Sequence, residues 1–185
     1  MLRACALLVT ALALGACAGL PELVAERQPL VEFELAGRIA VRYGEEAASG
    51  NLAWRHASDS DELLITTPVG GEVARIVRKL QAVTLTGADG AEHRAADAES
   101  LTERVLGFRL PLEGLADWVR ARPANGPAAV ARYDPAGKLE QLVQNGWRIE
   151  YLDYESAQSG AMPTRMRLYY PGLELRLAIH EWKLR

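Results

Sequence analysis

The chain has 185 residues, 49% of them hydrophobic and 24% charged, with 21 basic against 24 acidic side chains. That balance speaks against a nucleic-acid partner, which needs a basic face to neutralise phosphates. Two cysteines, Cys5 and Cys17, are too few for a disulfide framework, so the core must hold by packing.

Arg3 is the only charge in the first 21 residues, and an apolar run follows it from Ala4 to Leu14. The run is too short to span a bilayer. It ends in Leu14-Gly15-Ala16-Cys17, where small residues admit a signal peptidase and the Cys17 thiol can be acylated. Residues 1–16 are therefore predicted as a lipoprotein signal peptide, and 17–31 as a lipidated N-terminus and short tether. A possible helix lies within the tether, between Pro21 and Arg27. Residues 1–16 carry one of the 21 basic side chains and none of the 24 acidic ones, which leaves a formal charge of −4 on the remainder. No second apolar run approaches membrane-spanning length, so lipid on Cys17 is the expected anchor. Residues 32–185 are expected to form a single domain.

From Glu32 the pattern becomes strict alternation, with Phe33, Leu35, Gly37, Ile39 and Val41 on one face and Glu32, Glu34, Arg38 and Arg42 on the other. That is the pattern of a half-buried antiparallel strand. A turn is predicted over residues 44–50. Leu52 and Trp54 then share a face in a second strand, and Leu63, Ile65 and Thr67 in a third. After the turn Pro68-Val69-Gly70-Gly71, further strands are predicted around 73–77 and 82–86, with a turn over 87–90.

The period then changes. Asp97 is a good N-cap, Leu101 and Val105 lie one turn apart, and Gly107 fits a helix stop, so residues 98–106 are predicted helical. Pro111 opens a second amphipathic helix with Leu112, Leu115, Trp118 and Val119 on one side. The helical insert thus covers about 97–122, and a Pro/Gly cluster over 123–127 ends it. Strands resume at 130–133 and 139–143. Beyond Asn145-Gly146, alternation continues through Trp147, Ile149 and Tyr151. Two final strands carry Met166, Leu168 and Tyr170, then Leu173, Leu175, Leu177 and Ile179. The count is about ten strands with two or three short helices. The predicted class is mainly β with short helices (α+β): a curved antiparallel half-barrel sheet of about 10–11 strands, covered by a helical lid.

Several segments taken together resemble one family. They are Phe33-Glu34-Leu35-Ala36-Gly37-Arg38-Ile39-Ala40-Val41, the Leu52 and Trp54 pair, Thr67-Pro68-Val69-Gly70, Ala96-Asp97-Ala98-Glu99, and Leu106-Gly107 followed by Leu110-Pro111-Leu112. To these are added Trp118, Gln144-Asn145-Gly146-Trp147 with Ile149 and Tyr151, Pro163, and Trp182. With the acylation motif, their order and spacing resemble the LolB family of outer-membrane lipoproteins. The resemblance implies an eleven-stranded half-barrel whose apolar concave face holds acyl chains beneath a helical lid. It implies reception of acylated client lipoproteins from a periplasmic LolA-like carrier and their insertion into outer-membrane lipid. It further implies a membrane-insertion loop at Pro68, Val69 and Gly70, with Val69 standing where the best-known members have Leu. The expected location is the periplasmic face of the outer membrane, lipid-anchored, as a monomer.

The expected acyl-chain cavity is lined by Leu35, Ile39, Val41, Leu52, Trp54, Leu63, Ile65, Met166, Leu168, Leu175, Leu177 and Ile179 from the sheet. From the lid come Leu101, Val105, Leu115 and Trp118. Each would equally serve as ordinary core. Arg38, Arg42, Arg165, Arg167 and Arg176 are expected on outward faces, either simply solvated or docking an acidic patch on the carrier. No phosphate-cradling loop, nucleophile elbow or metal-ligand spacing is present in the sequence, so neither an enzyme nor a cofactor is expected. The alternative is a scaffold lipoprotein with a filled core that assists outer-membrane protein assembly. A vacant, lidded interior would separate the two.

Overall fold

The computed structural model describes residues 32–80 and 82–185. The predicted signal peptide, Cys17 and the possible helix between Pro21 and Arg27 lie outside the described residues.

Among the described residues, eleven strands form a single antiparallel sheet. They are β1 (Phe33–Tyr43), β2 (Glu46–Ala57), β3 (Ser60–Thr66), β4 (Glu72–Lys79), β5 (Ala82–Gly87), β6 (Glu92–Ala95), β7 (Val130–Tyr133), β8 (Leu139–Gln144), β9 (Trp147–Tyr154), β10 (Pro163–Tyr170) and β11 (Leu173–Leu184). Their spatial order is β6-β5-β4-β3-β2-β1-β11-β10-β9-β8-β7, so the first and last strands pair in the middle. β6 and β7, successive in the chain, end up at opposite edges. The segment that joins them carries α1 (Ala98–Leu106) and α2 (Leu112–Trp118) and has to cross a face of the sheet. It crosses the apolar one, because both helices bury their apolar stripes in the same cluster as the inward strand positions.

Register makes that face continuous. Leu35 opposes Trp54, Trp54 opposes Leu63, Leu63 opposes Ile76 and Ile76 opposes Leu85, giving one buried row across five strands. On the other side Ile39 opposes Leu177 and then Met166, while Val41 opposes Leu175, Leu168, Ile149 and Leu142 in turn. Each fully buried aliphatic side chain contributes about 1.5–3 kcal/mol. At the Ala36/Gly37 bulge β11 approaches so closely that a Cβ on Gly37 would collide with the Ala178 carbonyl oxygen.

Two expectations need correction. The turn predicted over 44–50 is only Gly44 and Glu45, and β2 already begins at Glu46, paired with Tyr43. Residues 46–49 are exposed and small or polar, so no apolar alternation reveals a strand that its backbone ladder forms. The count of ten also misses β6, whose Glu-His-Arg-Ala sequence has no apolar period. It is an edge strand, where charged side chains discourage further pairing. The helix ends follow the reading: Asp97 accepts from Ser100 N at 2.8 Å, and Gly107 closes α1 at φ 80°. The hydrogen bond from the Ser100 hydroxyl holds the Asp97 carboxyl below its usual range.

Candidate functional site

The insert and the sheet enclose an apolar interior whose two ends differ in packing. The better-packed part lies under α2, where Leu112, Leu115, Ala116, Trp118 and Val119 are all buried, beside a polar pocket of about 510 Å³ to which Asp117, Arg120, Asp61 and Arg78 contribute. Polar latches tie this helix to β8 and β9. Trp118 Nε1 donates to Gln144 Oε1 at 2.9 Å, and Tyr151 Oη donates to the Trp118 carbonyl at 2.9 Å. The same Gln144 accepts from Ala124 N and donates to the carbonyls of Ala124 and Pro127, pinning the chain that leaves α2. Burial pushes the Tyr151 phenol well above its usual range, so it is a donor throughout the physiological span.

Beyond α2, Arg120 folds under the insert, with its guanidinium 5.7 Å from the centre of the Phe33 ring. Burial lowers the pKa of Arg120, and its Asp117 partner at 2.7 Å opposes that shift. Deeper, Asp61 is 2% exposed and accepts from Trp54 Nε1 at 2.9 Å and Arg78 Nε at 2.6 Å, with His56 Nδ1 at 2.7 Å. No buried side-chain polar atom among the described residues lacks a partner.

The open part lies at the other end of α1. Ala98, Leu101 and Thr102 are buried, whereas Val105, Leu106 and Phe108 are only partly covered. Beneath Leu106 and Phe108 is a cavity of about 970 Å³, lined also by Ile39, Val41, Ile65 and Val73 and rimmed by the β1–β2 turn. Ligand pockets run to roughly 300–1,000 Å³, so this one is at the large end. It opens at the same end of the sheet as the loop between β3 and β4. That loop is braced internally: Thr67 N donates to Gly71 O at 2.7 Å and Gly70 N to Thr67 O at 2.9 Å. Pro68, Val69 and Gly70 form its exposed tip, and Val69 is 95% exposed.

Leu35, Ile39, Leu52, Trp54, Leu63, Met166, Leu168, Leu175, Leu177, Ile179, Leu101, Leu115 and Trp118 all join one buried cluster, with Val41, Ile65 and Val105 at its margin. Of this set, Ile39, Val41 and Ile65 line the cavity; the others lie outside its lining. Sequence reasoning missed Leu106, Val73 and Phe108. An apolar residue just past a helix-stop glycine packs back on the helix end, and that rule could have flagged Phe108. It also missed the pairing of His56 with Asp61, although both hold inward positions, in phase with Trp54 and Leu63.

The curved sheet, its covering insert and an apolar cavity opening beside an exposed apolar loop define a lidded half-barrel with an apolar interior. A family model described as outer membrane lipoprotein LolB matches residues 31–182. The outer-membrane lipoprotein LolB of Azoarcus sp. is 37% identical over 175 residues, covering 92% of this chain and 90% of that protein. That of Thiobacillus denitrificans is 37% identical over 174 residues, covering 92% of each. Among solved structures, a LolA superfamily protein from Nitrosomonas europaea is similar over 86% of this chain and 88% of its own, at 13% identity and a TM-score of 0.45. The chain belongs to the LolB family of outer-membrane lipoproteins, whose role is lipoprotein localisation.

Proposed function

We propose that the protein accepts acylated lipoproteins from a LolA-like periplasmic carrier through the mouth beside α1 and passes them to the outer membrane. In this reading residues 1–16 are removed as a signal peptide, and lipid on Cys17 holds the single domain over residues 32–185 at the periplasmic face. Each methylene taken out of water is worth about 0.8 kcal/mol, so acyl chains cannot leave a carrier without shelter at the destination. The observation that carries the reading is the apolar cavity of about 970 Å³, opening at the end of the sheet where Val69 stands exposed.

A chain would enter over Ile39, Val41 and Ile65. The partly covered Val105, Leu106 and Phe108 at the end of α1 would lift to let it reach the deeper apolar residues. The latches of α2 would hold the rest of the insert in place. The rim at Glu45, Glu46 and Ser49 is polar, so the cavity shields hydrocarbon less completely than a bilayer core and delivery runs downhill without nucleotide hydrolysis.

The test is to mix the protein with carrier loaded with a labelled acylated client, then add vesicles. The client should move to the protein and onward to the vesicles, and Val69→Glu should keep the first step and lose the second. A client that stays on the carrier overturns the reading.

A further inference from the structure

The convex face carries a feature that cargo reception leaves unused. β1 and β11 are the central strands, so their outward residues stand at the crest of the curve. There the register alternates small residues with arginines. Arg38 opposes Ala178, which opposes Arg165; Ala40 opposes Arg176, which opposes Arg167. The result is a groove of about 350 Å³ floored by Ala40 and Ala178 and walled by Arg38, Arg165, Arg167 and Arg176. Two of these guanidiniums are matched on the rim, Arg165 by Asp153 and Arg176 by Glu174. Arg38 and Arg167 have no ion pair among the described residues, so the groove is cationic in a chain whose formal charge is −3.

Its edges are apolar. Pro68, from the loop that displays Val69, lies on one side, and Leu152, 44% exposed, on the other. We infer that this groove is a docking surface for the phosphate-bearing headgroups of a bilayer, engaged when the loop beside it reaches the membrane. A guanidinium fork matches a phosphate bidentately. Arginines flanked by exposed apolar side chains suit an interface where one layer is charged and the next is hydrocarbon. An acidic patch on the carrier would satisfy the arginines alone and leave Pro68, Val69 and Leu152 without a role. Small floor residues let a headgroup approach the backbone between the arginines.

The inference rests on the reading that the Val69 loop meets a bilayer, and the test separates the two. The chain from residue 17 to 185, carrying Cys17→Ser so that it has no acyl anchor, is sedimented with phosphatidylcholine vesicles made with and without phosphatidylglycerol. Binding should rise with phosphatidylglycerol and fall with salt. The pair Arg38→Gln and Arg167→Gln should lower it by about fivefold per charge removed, while Arg38→Lys with Arg167→Lys retains most of it. Inorganic phosphate at millimolar concentration should not displace the vesicles, since the site belongs to a surface and not to the free anion. If the Gln pair binds vesicles like the parent but binds carrier more weakly, the groove docks a protein and the proposal is overturned. If Val69→Glu abolishes vesicle binding while the Gln pair leaves it intact, the loop reading stands and this proposal falls. An unchanged melting temperature for the Gln pair shows that a loss reflects the surface and not the fold.

Discussion

The two helices of the insert meet the same sheet in different ways. α2 is latched: Trp118 is fully buried, and hydrogen bonds to Gln144 and from Tyr151 fix its last turn. α1 is anchored mainly through its first half, where Leu101 is buried, the Thr102 hydroxyl donates to Ala98 O at 2.9 Å and Leu110 N donates to the Thr102 hydroxyl at 2.9 Å; its last turn has one exposed hydrogen bond to the sheet, from Arg104 to Arg94 O at 3.2 Å. Its last turn rests on partly covered apolar side chains over empty space. Hydrogen-bonded anchorage is thus concentrated at α2, and the large apolar cavity lies under the end of α1. A half-barrel that must both stay folded and open for a guest divides those demands between two ends of one insert, because an element that moves has to be drawn from the weakly held part.

That division predicts unequal responses to substitution. Trp118→Ala should cost the most, about 3–5 kcal/mol by chemical denaturation, as expected for truncating a fully buried aromatic. Gln144→Ala comes next, at about 1–3 kcal/mol, because Trp118 Nε1 would be left buried, and Ala124 N half-buried, without an acceptor. It should also speed amide exchange over residues 112–127 while leaving β1 and β2 unaffected. Tyr151→Phe removes one latch and should cost about 1 kcal/mol.

The tyrosines near this end also set an alkaline limit. Burial raises Tyr151 above its usual range and pushes Tyr154 up to about 12. The folded state favours the neutral phenols, so their contribution is complete below the unfolded value of about 10 and declines as pH rises through the folded values. Melts should therefore be flat in this respect up to about pH 10 and fall between about 10 and 12. Tyr154→Phe should flatten part of that decline. Phe108→Ala, at the unlatched end, should change stability least, by about 0.5–1 kcal/mol. It should nonetheless alter the rate of client uptake, whereas a cost like that of Trp118→Ala would break the comparison.

The sheet was legible because inward positions alternate with charged ones. Phe33 to Val41 and Leu173 to Ile179 announce both central strands, and the Asp97 and Gly107 caps announce α1. β6 and the first residues of β2 were not legible, since backbone pairing forms them and their side chains show no apolar period. The candidate site was legible only as a face. Periodicity places Leu63 and Ile65 on the same wall, yet one is packed in the core and the other borders the cavity. That difference depends on where α1 ends over the sheet, a tertiary fact with no local signature apart from Gly107. The latch on Gln144 was equally hidden, because it joins residues 26 apart in sequence.

The central claim is that a guest occupies the mouth under α1 and leaves α2 fixed. Amide hydrogen exchange on the unmodified protein, with and without a bound acylated client, tests it most directly. Exchange should slow on binding at residues 103–109 and 44–50, with residues 112–118 unchanged. A response centred on 112–118, with the end of α1 indifferent to the client, would contradict it.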